Sequence, residues 1–170
     1  MRLRRVLYRV SWIAAFALPL WVLFGRGFFG APLGFQFFAQ LLFVPVLFVG
    51  QAVATALVTL RGTNRRTRSV SWSDSGLLAV AWIGQLAAGF FLVDSAAGRT
   101  AASAFTVFAG AGASPLSSVL AAAAIMLTVV ALAVLIAVSV RRSVRALRQG
   151  FVSTTAALDP DRTVTVGPHS

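Results

Sequence analysis

Residues 61–74 read RGTNRRTRSVSWSD, a polar stretch with four arginines between two long apolar regions. Each apolar region contains two hydrophobic runs, which are joined by a connection rich in small residues. Apolar runs of this length predict transmembrane helices, and a short basic connection between them predicts that one helical hairpin follows another.

The composition excludes a water-soluble globular protein. Of the 170 residues, 58% are hydrophobic and 11% are charged, and the mean hydropathy is +0.86. A soluble domain carries charge on roughly a quarter of its residues, whereas a bilayer accepts apolar surface on the outside of the fold. We therefore expect an all-α polytopic membrane protein, a four-helix bundle arranged as two hairpins.

The hydrophobic runs define the domain organisation. The predicted spans are residues 10–25, 35–60, 76–93 and 115–140. The residues that follow the last span are basic over 141–152, where apolar and arginine positions alternate as in a helix lying on a membrane surface. Residues 1–152 are thus expected to form the transmembrane domain, and the polar residues 153–170 a disordered cytoplasmic tail.

The arginines predict the orientation and a contact with anionic lipid. Twelve of them flank the spans on one side, against two on the other, which are Arg26 and Arg99. The positive-inside rule then places both termini and residues 61–74 in the cytoplasm, and the net charge of +11 is explained by headgroup contacts rather than by nucleic acid. The topology and headgroup arginines are Arg2, Arg4, Arg5, Arg9, Arg61, Arg65, Arg66, Arg68, Arg141, Arg142, Arg145 and Arg148. Arginine and aspartate replace lysine and glutamate throughout, which favours a GC-rich genome and a bacterial plasma membrane.

Four glutamines are the strongest polar signal inside the spans. At about 100° per residue, Gln40 and Gln51 differ by only about 20° in direction, and Gln36 lies within about 60° of Gln51. Gln85 lies at a depth similar to that of Gln51, so these two side chains are expected to pair across helices. The stripe is interpreted either as structural hydrogen bonding or as the polar lining of a solute path.

Smaller signals concern the third span and the membrane boundaries. Gly84 and Ala88 form a small-xxx-small pair that predicts close approach of another helix. The residues in 73–75 offer helix N-caps, and Asp74 complements the positive end of the helix dipole. Trp21 is expected near the outer boundary of the membrane.

Catalysis, metal binding and cofactor binding have no candidate residues. The chain has no cysteine, no glutamate and one histidine, His169, next to its C-terminus. An active site would have to rest on Asp94 alone, and Asp94→Asn is expected to leave the cellular role intact. The sequence therefore predicts a protein that is not an enzyme and that holds no metal or cofactor.

Two functions remain open from the sequence. The first is a non-catalytic membrane protein that acts through helix contacts, as a scaffold, accessory or regulatory subunit with a membrane-protein partner or as a homo-oligomer. The alternative is a small permease or permease subunit for a small solute, without proton coupling. A wet cavity lined by the glutamines Gln36, Gln40, Gln51 and Gln85 would favour the permease.

Overall fold

The computed structural model describes residues 2–31, 34–61, 70–95 and 100–157, and it is all-helical. Four helices are long and apolar enough to cross a membrane. A short 3₁₀ helix, Gly25–Phe29, follows the first of them, and a turn of 3₁₀ helix, Ala111–Ala113, precedes the last. The α-helices are α1 (Arg2–Phe24), α2 (Phe35–Thr59), α3 (Trp72–Phe91), α4 (Ala104–Ala109) and α5 (Ser114–Ala157).

The predicted spans agree with these helices most closely for α2, and α3 begins four residues earlier than expected. The N-cap of α3 is Ser71, whose Oγ accepts a hydrogen bond from the Asp74 N–H at 3.3 Å. The expectation that residues 73–75 cap this helix is therefore wrong. Asp74 does lie in the first turn, where its charge complements the helix dipole.

Helix α5 is one continuous helix of 44 residues. At 1.5 Å per residue it is about 66 Å long, roughly twice the hydrocarbon thickness of a bilayer. The basic segment 141–152 is part of this helix. The first five residues of the expected tail, 153–157, are helical too, while 158–170 lie outside the described residues, as do 62–69 and Arg99.

Helix α3 packs against both α1 and α5, and α1 also packs against α2. The main buried cluster combines residues of α2, α3 and α5. It contains Ala54 and Val58 from α2, Leu78 and Ala81 from α3, and Ala131, Leu132 and Leu135 from α5, together with Val70. The three alanines of this cluster, one from each helix, allow the helices to approach closely, which increases the van der Waals contact that holds helices together in a bilayer.

The closest approach of α3 and α5 is at Gly84. A Cβ at this position would lie 3.0 Å from the backbone oxygen of Ala124 and would clash with the Thr128 hydroxyl. Thr128 Oγ1 is itself held by donation to Ala124 O at 2.9 Å. The small-residue pair Gly84 and Ala88 thus lies on a packed face of α3, with Ala88 2% exposed.

Trp21 is used for packing between α1 and α3. Its Nε1 donates to Leu86 O at 3.1 Å, and a Cβ at Gly89 would lie 2.6 Å from the same nitrogen. The indole also contacts Phe28 and Phe29. The sequence-based placement of Trp21 at the membrane boundary thus omits its contacts with other residues of the protein, since the indole is only partly buried between α1 and α3.

The described part of the connection between α3 and α5 contains a β-bridge. Asp94 and Ala102 exchange backbone hydrogen bonds of 2.9 and 2.8 Å. Ser103 then caps α4 in a capping box with Thr106. The Ser117 hydroxyl of α5 donates to Phe91 O at 2.6 Å and also lies 2.7 Å from the Ser103 hydroxyl. These contacts join the start of α5 to the end of α3 and to the cap of α4.

We predict that Gly84→Ala lowers the free energy of unfolding by about 1–3 kcal/mol, the usual cost of overpacking. The added methyl group would meet backbone of α5, which has little freedom to move. Thermal unfolding of the purified protein in detergent, followed by circular dichroism, measures the effect.

Gly76→Ala is the matched control, because it makes the same change in the same helix where no atom lies within 4 Å of the new Cβ. Alanine there should be neutral or stabilise by up to about 1 kcal/mol through helix propensity. Equal melting temperatures for the two variants would contradict the close approach at Gly84.

Candidate functional site

Polar side chains inside the bundle concentrate at three levels. One group lies at the end of the bundle that carries Asp94, called the Asp94 end. A second lies in the middle, at Gln51 and Gln85. The third lies at the opposite end, called the Asp74 end, which carries Asp74 and the arginines that contact it.

The Asp94 carboxylate caps the start of α2 although it belongs to a distant connection. Its Oδ2 accepts from the backbone N–H groups of Gly34 at 2.8 Å and Phe37 at 3.1 Å. Its Oδ1 accepts from Gln36 N–H at 2.9 Å and from Ser95 N–H at 2.8 Å. The Phe35 N–H donates to Ser95 O at 3.2 Å, so the first N–H groups of α2 are all paired.

The local sequence explains why this cap comes from elsewhere. The N-cap residue of α2 is Gly34, which has no side chain to accept a hydrogen bond. The first N–H groups of a helix have no partner within the helix, and leaving them unpaired away from water costs about 1–3 kcal/mol each. A carboxylate also interacts favourably with the positive end of the α2 dipole.

Arg26 completes this site from the 3₁₀ helix that follows α1. Its Nη2 lies 2.9 Å from Asp94 Oδ2 and donates to Gln40 Oε1 at 3.0 Å. The side chains of Arg26 and Asp94 are 0% and 1% exposed. Gly30, at φ +75°, ends the 3₁₀ helix in the left-handed conformation that glycine adopts readily. The site therefore joins α1, α2 and the α3–α4 connection through one ion pair.

Sequence reasoning missed this pair. Arg26 counted only toward orientation, and Asp94 only as a residue at the end of a span. The signal was available, since a single arginine and a single aspartate border two connections predicted on the same side of the membrane. The expectation that Asp94→Asn leaves the cellular role intact stays a prediction, but the ion pair indicates a cost in stability, because the carboxylate balances a buried guanidinium.

The four glutamines make different contacts. Gln85 Nε2 donates to Gln51 Oε1 at 3.1 Å and, more weakly, to Ala81 O at 3.4 Å. The hydrogen bond between Gln51 and Gln85 is thus present as the sequence predicts. Gln40 instead accepts from Arg26, and Gln36 is exposed.

A cavity of about 230 Å³ lies between α2 and α5, with α1 and α3 behind it. Gln36, Gln40 and Gln85 contribute to its wall, whereas Gln51 does not. The remaining lining is apolar except for Thr128 and comprises Val22, Ala39, Phe43, Val44, Leu47, Ala88, Leu92, Ile125 and Val129. The cavity is therefore a largely hydrophobic space with amide groups at separate points of its wall.

At the Asp74 end, one buried carboxylate joins three segments. Asp74 Oδ2 lies 3.0 Å from Arg61 Nη1, just after α2, and Oδ1 lies 3.3 Å from Arg142 Nη1 of α5. Arg142 Nη2 also donates to Ser73 Oγ at 3.3 Å. Asp74 is 0% exposed, while the Arg142 side chain is 44% exposed. Two predicted topology arginines thus have a structural role as well.

Among the other predicted topology arginines, the structure describes the side chains of four. Arg5, Arg9, Arg141 and Arg145 are exposed. Arg2, Arg4 and Arg148 lie in described helices without described side-chain positions, and Arg65, Arg66 and Arg68 lie outside the described residues.

Within the described parts of the chain, no group of three or more His, Cys, Asp or Glu side chains could hold a metal ion. No protein-family model, curated protein or solved structure matches this chain. Its functional interpretation therefore depends on its own geometry.

We predict that Asp94→Asn and Arg26→Met each lower the free energy of unfolding by about 3–5 kcal/mol, because each leaves a buried partner without its counter-charge. The double variant should lose less than the sum of the two, as expected for directly coupled residues. Thermal unfolding in one detergent measures all three.

Arg9→Met is the control, because it removes an exposed arginine from the same part of the chain. It should change the melting temperature little. A loss at Arg9 as large as that at Arg26 would show that net charge, not the buried pair, determines stability.

A second double-mutant cycle concerns the middle of the bundle. Gln51→Leu and Gln85→Leu should show a coupling free energy of about 0.6–1.7 kcal/mol, the range of hydrogen bonds between membrane helices. Strict additivity of the two changes would argue against a stabilising contact between these amides.

Proposed function

We propose that this chain is a non-catalytic integral membrane protein that acts through helix contacts, as a scaffold, accessory or regulatory subunit. The observation that supports this proposal is how the buried ionisable groups are used. Among the described residues, both carboxylates are engaged in fixing segments of the bundle to one another. Both oxygens of Asp94 are occupied by donors, and so are both oxygens of Asp74.

A surface for a partner helix is available on α2. Its exposed apolar residues recur at spacings of three and four, which places them on one face. They are Phe38, Leu42, Val46, Val49 and Val53. In a bilayer such a face contacts either lipid or another helix. A subunit that acts through helix contacts requires that another helix covers it.

The arginine distribution supports an orientation. We propose that the Asp74 end faces the cytoplasm of a bacterial cell and that both termini lie on that side. The exposed Arg5 and Arg9 of α1 and Arg141 and Arg145 of α5 would then meet anionic headgroups of the inner leaflet.

A permease or permease subunit is the second candidate, and the cavity between α2 and α5 favours it. Amides of Gln36, Gln40 and Gln85 in its wall provide hydrogen bonds for a solute. A carrier driven by protons requires a group that changes charge near the solute. Because Asp94 is paired with Arg26 and capping α2, such a permease would be passive or driven by a partner.

Single cysteines test the helix-contact proposal, since the chain has none of its own. We predict that Leu42→Cys on the α2 face gives thiol cross-links to a partner or a second copy in native membranes. These cross-links should persist when the membranes are fused with excess lipid, because a specific interface does not depend on random collision.

Ile13→Cys is the matched control, at an apolar position of α1 that is 67% exposed. Its cross-links should be few and should fall with dilution. If both signals fall equally on dilution and the protein in liposomes also lets a solute equilibrate across the bilayer without a proton gradient, the helix-contact role would be rejected in favour of the permease.

A further inference from the structure

The cavity between α2 and α5 has the form of a binding site for a lipid chain. Large apolar lining residues at its edge are exposed, namely Phe43 at 62%, Val129 at 46% and Ile125 at 37%. Val22 and Ala88, which also line it, are 8% and 2% exposed. The space therefore runs from the outer surface of two apolar helices to the interior of the bundle, with an opening toward the bilayer.

One buried group in the wall has an unused hydrogen-bond donor. Gln40 is 7% exposed, and its Oε1 accepts from Arg26. Its Nε2 has no hydrogen-bond partner among the described residues. An amide donor left unpaired away from water costs about 1–3 kcal/mol. The Nε2 atom has less than 1 Å² of accessible surface, so a ligand acceptor reaches it when the amide of Gln40, which borders the cavity, rotates toward that space.

At the other end of the cavity, the unpaired polar atom in the wall is an acceptor rather than a donor. The Nε2 of Gln85 donates to Gln51 and Ala81. Of the side-chain polar atoms of Gln85, its acceptor Oε1 has no partner in the described parts of the chain. Unpaired acceptors are better tolerated than unpaired donors. The site therefore suits a molecule with an acceptor at the Gln40 end and hydrocarbon below it.

The depth of Gln40 fits the ester groups of a glycerolipid. Helix α2 has 25 residues and is thus about 37 Å long, which exceeds the hydrocarbon thickness of about 30 Å. Gln40 lies about 7 Å from the start of the helix. This is close to the boundary between hydrocarbon and headgroups, where ester carbonyls of lipids lie.

The charge of the site favours a neutral acceptor over a carboxylate. Arg26 is the nearest cation to Gln40, and Asp94 already balances it at 2.9 Å. A free fatty acid would bring an unpaired negative charge next to Asp94, whereas an ester carbonyl brings none.

We propose that this cavity binds one acyl chain of a glycerolipid, whose ester carbonyl accepts a hydrogen bond from Gln40 Nε2. The acyl chain lies along Phe43, Leu47 and Val129 and reaches the interior of the bundle at Val22 and Ala88. This site does not depend on the proposed helix-contact function, since it requires no partner protein.

Photolabelling of the full chain in nanodiscs tests the site. The probe is phosphatidylcholine with a diazirine in one acyl chain, and labelled residues are mapped by mass spectrometry. Label at Val22 and Ala88 is the expected result, because these residues are too buried for labelling from bulk lipid. Label confined to outward-facing positions such as Leu42 and Val46, each more than 60% exposed, would overturn the proposal.

Ala39→Trp blocks the cavity, because Ala39 is an exposed residue of its lining. Val129→Trp does so from α5, and Leu42→Trp is the control outside the cavity. The two blocking variants should lose the label at Val22 and Ala88, and the control should keep it. Retention of the label in both blocking variants with unchanged melting temperatures would overturn the assignment.

Gln40→Leu tests the hydrogen bond and should lower the interior label about two- to tenfold. Gln40→Asn, which keeps an amide, should recover part of it. A fatty acid carrying the same diazirine should label the interior less than the phospholipid does. Stronger interior labelling by the fatty acid, or no effect of Gln40→Leu, would show that the ester is not recognised and would overturn the proposal.

Discussion

At the Asp94 end of the bundle, the other contacts depend on the Asp94 carboxylate, which caps α2 and pairs with Arg26. Helix α2 begins at a glycine N-cap, so its first N–H groups require an acceptor from another segment. Asp94 provides it, and the β-bridge to Ala102 fixes the position of the carboxylate. Arg26 balances the buried charge and connects it to Gln40. The Asp94 carboxylate therefore joins the start of α2 to Arg26, just after α1, and to the end of α3.

At the Asp74 end, a buried carboxylate again pairs with arginines, but these arginines are more exposed than Arg26. Asp74 is inside, but one of its two arginines, Arg142, remains 44% exposed. Exposed ion pairs contribute little to stability, so this contact determines where α5 leaves the bundle more than how stable the bundle is. Between the two ends, helix packing at Gly84 and the amide pair in the middle fix the relative positions of the helices.

Hydropathy and helical periodicity predict the parts of this structure that depend on one segment at a time. The four long apolar helices and the small-residue face at Gly84 are of this kind. The hydrogen bond between Gln51 and Gln85 follows from comparing the positions of these residues along two such helices. The Asp94 cap and the packing of Trp21 are not of this kind, because each joins residues more than 50 positions apart. The start of α3 was misplaced for a local reason, since several serines compete as N-caps and only Ser71 has the required geometry.

The neutralised pair also determines what the cavity can hold. With Arg26 balanced by Asp94, the groups in the cavity wall are neutral, and most of the lining is hydrocarbon. A small polar solute would find few hydrogen bonds there, whereas an acyl chain would find an apolar wall and one donor. Such a chain between α2 and α5 would fill the space where these helices do not meet, so that lipid would complete the packing of the bundle at the end where the protein itself leaves a gap.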